Sequence, residues 1–204
     1  MTMGIYFVTD ADAAAPIRDQ VQAALAAGVR IIQLRDKQSR DAEMTALAHE
    51  LLPLVHAAGG RLIINDRIGV AIACAADGLH VGQGDGNICD IRTRIGPDMI
   101  LGLSVGTRDQ LRDMPATGVD YIGVGPLRAT PTKPDHDTPI GFNGLAQIVT
   151  AAPCPAIAIG GIGLQDIPEI HQTGCSGAAV VSAISRQADM QRAARDLVTA
   201  WRTQ

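Results

Sequence analysis

Eight short runs rich in Val, Ile and Leu recur along the chain at intervals of roughly 20 to 30 residues, each ending in polar or glycine positions. They are GIYFVTD (4–10), VRIIQLRD (29–36), RLIIND (61–66), GLHVGQ (78–83), MILGLS (99–104), YIGVGP (121–126), AIAIGGI (156–162) and GAAVVSAI (177–184). Ala-rich or charge-flanked stretches fill the gaps. PIRDQVQAALAAG (16–28) and RDAEMTALAHELLPLVHAAG (40–59) close on glycine, as a helix C-terminus prefers. A strand followed by a helix, eight times over, predicts an α/β protein with a (β/α)8 TIM barrel as its single domain across residues 1–204. The competing open, doubly wound sheet would place a GxGxxG turn after the first strand, where DADAAAP (10–16) stands instead.

The segment GPLRATPTKPDHDTPIG (125–141) breaks this rhythm. Pro126, Pro131, Pro134 and Pro139 remove backbone donors and fix φ, so neither helix nor central strand runs through it. It is expected to be a loop, and its Arg128, Thr130, Thr132 and Lys133 make it a candidate for function.

Composition sharpens the barrel reading. Of 204 residues 47% are hydrophobic but only 2% aromatic, so the core is built from Ala, Val, Ile and Leu, which suits a sheet covered by helices. A net charge of −4 argues against a nucleic-acid partner. Cys74, Cys89, Cys154 and Cys175 form no CxxC pair and are expected to be buried free thiols. The first residues carry no secretory signal pattern and no run reaches the ~18 apolar residues of a membrane span, so a cytoplasmic location is expected. Monomer and homo-oligomer both stay open.

In a TIM barrel, chemistry belongs at the carboxyl ends of the strands. Period-2 alternation in the second run puts Gln33, Arg35 and Lys37 on one side and Ile32 and Leu34 on the other. Two cations so close either flank an anion, with phosphate or diphosphate the natural partner, or form a structural ion pair with Asp36 or a neighbouring strand. The third run ends in Asn65 and Asp66, and the fourth leads through Gly84 to Asp85. Each Asp alone reads as a turn or cap residue; together, beside the cations, they suit Mg²⁺, which takes few carboxylates and completes its shell from water and substrate phosphate. His80 shares a face with Gly78 and Gly82 and reads either as a buried, hydrogen-bonded histidine or as a substrate contact in the barrel mouth. His49, His56, His136 and His171 look like surface residues. Gly160 and Gly161 after the seventh run, with Val181 and Ser182 in the eighth, fall where barrels bind a phosphate on backbone amides.

QLRDK (33–37), LIINDR (62–67), GLHVGQGD (78–85), YIGVGP (121–126), TPTKP (130–134), AIGGI (158–162) and VVSAI (180–184), in this order, resemble the thiamine-phosphate synthase family of TIM-barrel enzymes. The likeness runs from Tyr6 to about Ile184. It implies a transferase that condenses hydroxymethylpyrimidine diphosphate with hydroxyethylthiazole phosphate, giving thiamine monophosphate and diphosphate by a Mg²⁺-dependent dissociative displacement. Carried over by position, it implies that Arg35, Lys37, Asn65 and Lys133 bind the diphosphate as the catalytic set, with Asp66 and Asp85 holding Mg²⁺. Gln33 and Ser104 contact the pyrimidine, with His80 as a further contact, and Thr130, Thr132, Gly161, Val181 and Ser182 take the thiazole phosphate. On this reading the 125–141 segment is a flap over the two anionic substrates.

Two stretches depart from the family pattern. SVGT (104–107) has Gly106 where the family often has histidine, and LRAT (127–130) lacks a common aromatic, leaving Arg128 either to charge the flap or to face solvent. Two alternatives are a thiazole tautomerase of the same fold, which resembles the family but uses that histidine for proton transfer, and a non-catalytic phosphate-binding barrel, which should have lost one of the charged groups.

Overall fold

The computed structural model describes residues 3–129 and 138–204. Its strands are β1 (Gly4–Val8), β2 (Ile31–Leu34), β3 (Arg61–Asn65), β4 (Gly78–Val81), β5 (Ile100–Val105), β6 (Tyr121–Val124), β7 (Ala156–Ile159) and β8 (Gly177–Val180). They close in sequence order into one parallel barrel, with Gly4 of β1 in register with Gly177 of β8. The helices are α1 (Ile17–Ala26), α2 (Asp41–Ala57), α3 (Ile68–Ala73), α4 (Ile88–Ile95), α5 (Arg108–Arg112), α6 (Gly141–Ala151), α7 (Ile167–Gln172), α8 (Ser182–Ser185) and α9 (Met190–Arg202).

The apolar runs are nearly continuous because both faces of each strand are covered. Ile5 and Phe7, Ile32 and Leu34, and Leu62 and Ile64 point outward into the core shared with the helices, while Tyr6, Val8 and Ile63 alternate inward to the barrel axis. On the outside α9 packs on β1, its Leu197, Val198 and Trp201 buried, and Asp189 caps it by accepting from Arg192 N at 2.9 Å. Among the described residues no helix is long and apolar enough to cross a membrane.

Several strands end earlier than their apolar runs. Beyond Val8, the buried Thr9 and Asp10 spend their side chains on neighbouring loops, and the alternation of the second run stops at Leu34, so Arg35 and Lys37 stand on the loop that follows β2. The run 177–184 divides into β8 and the start of α8 at Ser182, since a barrel strand must turn out of the sheet at its carboxyl end.

Other expectations are corrected by packing. Cys74 and Cys175 are buried, but Cys154 is half-buried and Cys89 exposed on α4. His171 is not a plain surface residue, because its ring packs edge-on against Trp201 at 5.2 Å. His56 is exposed, as expected, and pairs with Asp77 at 2.9 Å. Arg128 does not merely face solvent: its guanidinium meets the buried Asp166 carboxylate at 2.7 Å and lies 5.3 Å from the Phe142 ring centroid.

Candidate active site

At the end of β2, Arg35 is half-buried and Lys37 exposed, and among the described residues neither side chain has a direct ion pair. The structural pair with Asp36 does not form. The Asp36 carboxylate accepts instead from Gln38 N (2.9 Å), Ser39 N (3.1 Å) and Ser39 Oγ (2.5 Å), closing its own turn. Although burial pushes this carboxyl up, those hydrogen bonds and the Arg67 charge hold it below the usual range. Thr9 and Arg67 fix the loop. Thr9 Oγ1 accepts from Arg35 N (2.9 Å) and donates to Arg35 O (3.2 Å), while Arg67 reaches Ser39 O, Asp41 Oδ1 and Asp36 O at 2.5, 3.0 and 2.9 Å.

Asp66 follows β3 in a left-handed conformation (φ 48°), and its N–H donates to His80 O at 2.8 Å. Burial first and the neighbouring Asp85 charge second raise its carboxyl above the ordinary value, against the pull of Lys37, Arg67 and Arg35. These charges therefore gather at one part of the rim. Asp85 is also a turn residue, accepting from Gly82 N at 2.6 Å. The half-buried Asn65 side chain has no hydrogen-bond partner among the described residues.

Inside the barrel, five side chains form a line of hydrogen bonds. Gln33 Nε2 donates to Tyr6 Oη (2.8 Å), the Tyr6 and Tyr121 hydroxyls meet at 2.9 Å, His80 Nδ1 lies 2.9 Å from Tyr121 Oη, and His80 Nε2 lies 3.0 Å from Ser104 Oγ. His80 is thus hydrogen-bonded within the barrel, as the first of its two readings expected. Gly102 makes the line possible. It stands in register between His80 and Tyr121, and a Cβ there would lie 2.2 Å from Tyr121 Cζ and 2.5 Å from His80 Nδ1. Gly102→Ala is expected to destabilise the fold by about 1–3 kcal/mol or more through overpacking. Denaturant melts check this, and an unchanged midpoint would show that the rings shift freely.

The loops after β7 and β8 lie side by side, since Ile159 pairs with Ala179. Gly160 and Gly161 have φ of 98° and 66°, and a Cβ at Gly160 would come 2.5 Å from Pro126 Cβ. Asp166 stiffens this corner by accepting from Gly163 N at 2.8 Å as well as from Arg128. Val181 leads into α8, which opens at the exposed Ser182; the Ile184 and Ser185 amides donate to Val181 O at 3.0 Å, which leaves those of Ser182 and Ala183 at the open end of the helix. Asp10 ties α8 to β1 by accepting from Arg186 Nε (2.9 Å) and Ser185 Oγ (3.2 Å).

Gln33, Arg35, Lys37, Asn65, Asp66, His80, Asp85, Ser104, Gly161, Val181 and Ser182 thus all fall inside the barrel mouth or on the loops at its carboxyl rim. Thr130, Thr132 and Lys133 lie outside the described residues, as does His136. Among the described residues no group of three or more His, Cys, Asp or Glu side chains could hold a metal, so the candidate Mg²⁺ ligands are the carboxylate pair alone. Sequence reasoning passed over Tyr6, Tyr121, Thr9, Asp10, Arg67 and Asp166. Inward alternation of two of the few aromatic residues was the available signal for the tyrosines; the others act through contacts distant in sequence.

A closed parallel barrel with this rim is the framework of a barrel enzyme. Residues 5–184 match the family described as thiamine monophosphate synthase. The thiamine-phosphate synthase of Roseiflexus sp. (strain RS-1) is 44% identical over 195 residues, covering 95% of this chain and 83% of that protein. That of Azorhizobium caulinodans is 39% identical over 199 residues, covering 97% and 94%. A solved structure of thiamine phosphate pyrophosphorylase from Pyrococcus furiosus superposes with a TM-score of 0.91 at 31% identity, covering 99% of this chain and 96% of that one. The chain belongs to the thiamine monophosphate synthase family, and it is a transferase of that kind.

Proposed function

We propose that this protein joins hydroxymethylpyrimidine diphosphate to hydroxyethylthiazole phosphate, with Mg²⁺ held by Asp66 and Asp85. The observation that carries this reading is the combination of Arg35 and Lys37, without direct ion pairs among the described residues, beside two carboxylates of which one is raised by burial and by the other. Such a pair suits a hard divalent cation, because bringing one in removes the like-charge repulsion and matches the oxygen donors Mg²⁺ prefers. When bound, the cation neutralises charge on the diphosphate leaving group.

Arg35, Lys37 and Asn65, together with Lys133, hold the diphosphate. Gln33 and Ser104, beside His80, orient the pyrimidine, while backbone groups at Gly161, Val181 and Ser182, together with Thr130 and Thr132, take the thiazole phosphate. The bond from the methylene carbon to the diphosphate oxygen breaks first, the electron-rich aminopyrimidine stabilises the resulting cation, and the thiazole nitrogen captures it. The protein contributes position and charge rather than a nucleophile. Burial pushes the thiols of Cys74, Cys154 and Cys175 up, away from the reactive thiolate form.

The purified protein given both substrates and Mg²⁺ is expected to form thiamine monophosphate, detected by mass, and to form none in excess chelator. Given the thiazole precursor alone, it is expected not to catalyse isomerisation, since Gly106 offers no side-chain acid or base. Rapid proton exchange into the thiazole without the pyrimidine substrate would favour the tautomerase. Absence of product together with retained phosphate binding would favour the non-catalytic barrel.

A further inference from the structure

We infer that Arg128 is a positioning residue: paired with Asp166, it clamps the loop after β6 onto the loop after β7 and holds the Gly160–Gly161 turn in one conformation. This rests on the proposed function above and adds to it a role for a side chain in a stretch that lacks the family's common aromatic.

Two glycines in succession give the turn its left-handed backbone, with φ of 98° and 66°, but supply no side chain to hold it there. The restraint comes from the neighbouring loop. Leu127 N donates to Ile159 O at 2.8 Å and Arg128 N to Gly160 O at 3.1 Å, so the chain after β6 runs alongside the turn. The approach is close, since a Cβ at Gly161 would lie 3.0 Å from Arg128 Cβ. Farther out, the Arg128 guanidinium meets Asp166 Oδ2 at 2.7 Å, and the same oxygen accepts from Gly163 N at 2.8 Å. One carboxylate oxygen thus joins the end of the turn to the adjacent loop.

The Asp166 side chain is 3% exposed, and among the described residues no other cation pairs with it. Separating such a pair leaves a charge buried without water, so the carboxylate holds the guanidinium far more firmly than a surface partner would. That makes a half-exposed arginine an anchor. The loop after β6 is fastened on its other side too, because Ile140 N and Gly141 N donate to Pro126 O (2.9 Å) and Leu127 O (3.2 Å), and Arg128 lies 5.3 Å from the Phe142 ring centroid at the start of α6. A phenyl ring at 128 would leave the buried carboxylate unpaired. With its guanidinium engaged by Asp166, Arg128 acts through the turn and not on the ligand. A turn that sampled other conformations would present its backbone groups to an anion only part of the time, and apparent affinity would fall by that fraction.

The test compares Arg128→Met, Asp166→Asn and the double variant with the wild type, by steady-state kinetics with both substrates and Mg²⁺ and by thermal melting. Met keeps an unbranched stem beside Gly161 and Phe142, and Asn keeps an acceptor for Gly163 N, so each substitution removes mainly the charge. Arg128→Met and the double variant are expected to raise KM for hydroxyethylthiazole phosphate roughly tenfold, and Asp166→Asn at least about threefold, with kcat and KM for the pyrimidine diphosphate within about twofold of wild type. Arg128→Met should also melt lower, because it strands the Asp166 carboxylate; the double variant should recover the melting temperature and keep the raised KM. If Arg128→Met does not fold, the double variant still decides. A double variant with wild-type KM would show that the pair only stabilises the fold. Asp166→Asn with an unchanged or lower KM would show that the guanidinium touches the phosphate itself. Either result overturns the inference, as does a KM for the pyrimidine diphosphate that rises in step with that for the thiazole phosphate. A wild type that forms no thiamine monophosphate overturns the proposed function instead, and this inference with it.

Discussion

Turnover of Asp66→Ala is expected to fall at least ~100-fold, the scale on which removal of one positioned electrostatic group acts. Asp66→Asn, which keeps a residue that tolerates the left-handed backbone at φ 48°, should not weaken the metal-free fold. Asp66 sits in native surroundings that raise its carboxyl, through burial first and Asp85 second, so the folded chain holds that proton more tightly than the unfolded chain does. The sign follows by linkage: where the native state binds more protons, stability falls as pH rises, and above the raised pKa the ionised carboxylate opposes folding in full. Asp66→Asn removes that opposition without the strain that Ala would meet at this φ. In chelator at neutral pH its melting temperature should equal or exceed that of the wild type, and the upward shift that Mg²⁺ gives the wild type should disappear. A variant that turns over at near-normal rate, or whose melting still responds to Mg²⁺ as the wild type does, would return Asp66 to a structural role.

Arg35→Ala is expected to lower kcat/KM at least ~100-fold, and Arg35→Lys to recover only part of it, because an ammonium supplies the charge without the planar fork that pairs with two phosphate oxygens. Arg35 has no direct ion pair among the described residues, so its removal strands no buried partner and the fold should melt as before. Inhibition by inorganic diphosphate separates the roles: an Arg35→Ala enzyme still inhibited as strongly as the wild type would show that the guanidinium does not touch the diphosphate. Thr9 supports this role from a distance, since its hydroxyl pins both the N–H and the carbonyl of Arg35.

The barrel was legible because its cause is local and repeated. Each strand of a fully covered parallel sheet needs an apolar run, and each must be followed by a helix that returns the chain, so the alternation of patterns carries the topology. The ends of the runs were less legible. Thr9 and Asp10 continue the composition of β1 yet leave the sheet, their side chains tied to Arg35 and Arg186, and Val181 and Ser182 continue that of β8 yet turn out of it to begin α8. Arg128 is the clearest case. Nothing near it in sequence marks a partner, and Asp166, which its guanidinium meets at 2.7 Å, arrives only when β6 and β7 lie side by side.

By itself the sequence determined the eight strand-and-helix units and the ordered motifs that place polar residues after strands, because periodicity and residue type are properties of the chain. Tertiary structure alone decided how those residues meet. Closing the barrel brings β1 beside β8, sets Gly102 between His80 and Tyr121, and joins side chains from five strands into one line of hydrogen bonds between Gln33 and Ser104. It also sets Asp66 and Asp85 close enough to raise one carboxyl and leaves Arg35 and Lys37 without direct ion pairs among the described residues. The reason is range: hydrogen bonds and charge interactions act over a few ångströms of space, and the residues that feel them here lie as many as 176 positions apart along the chain.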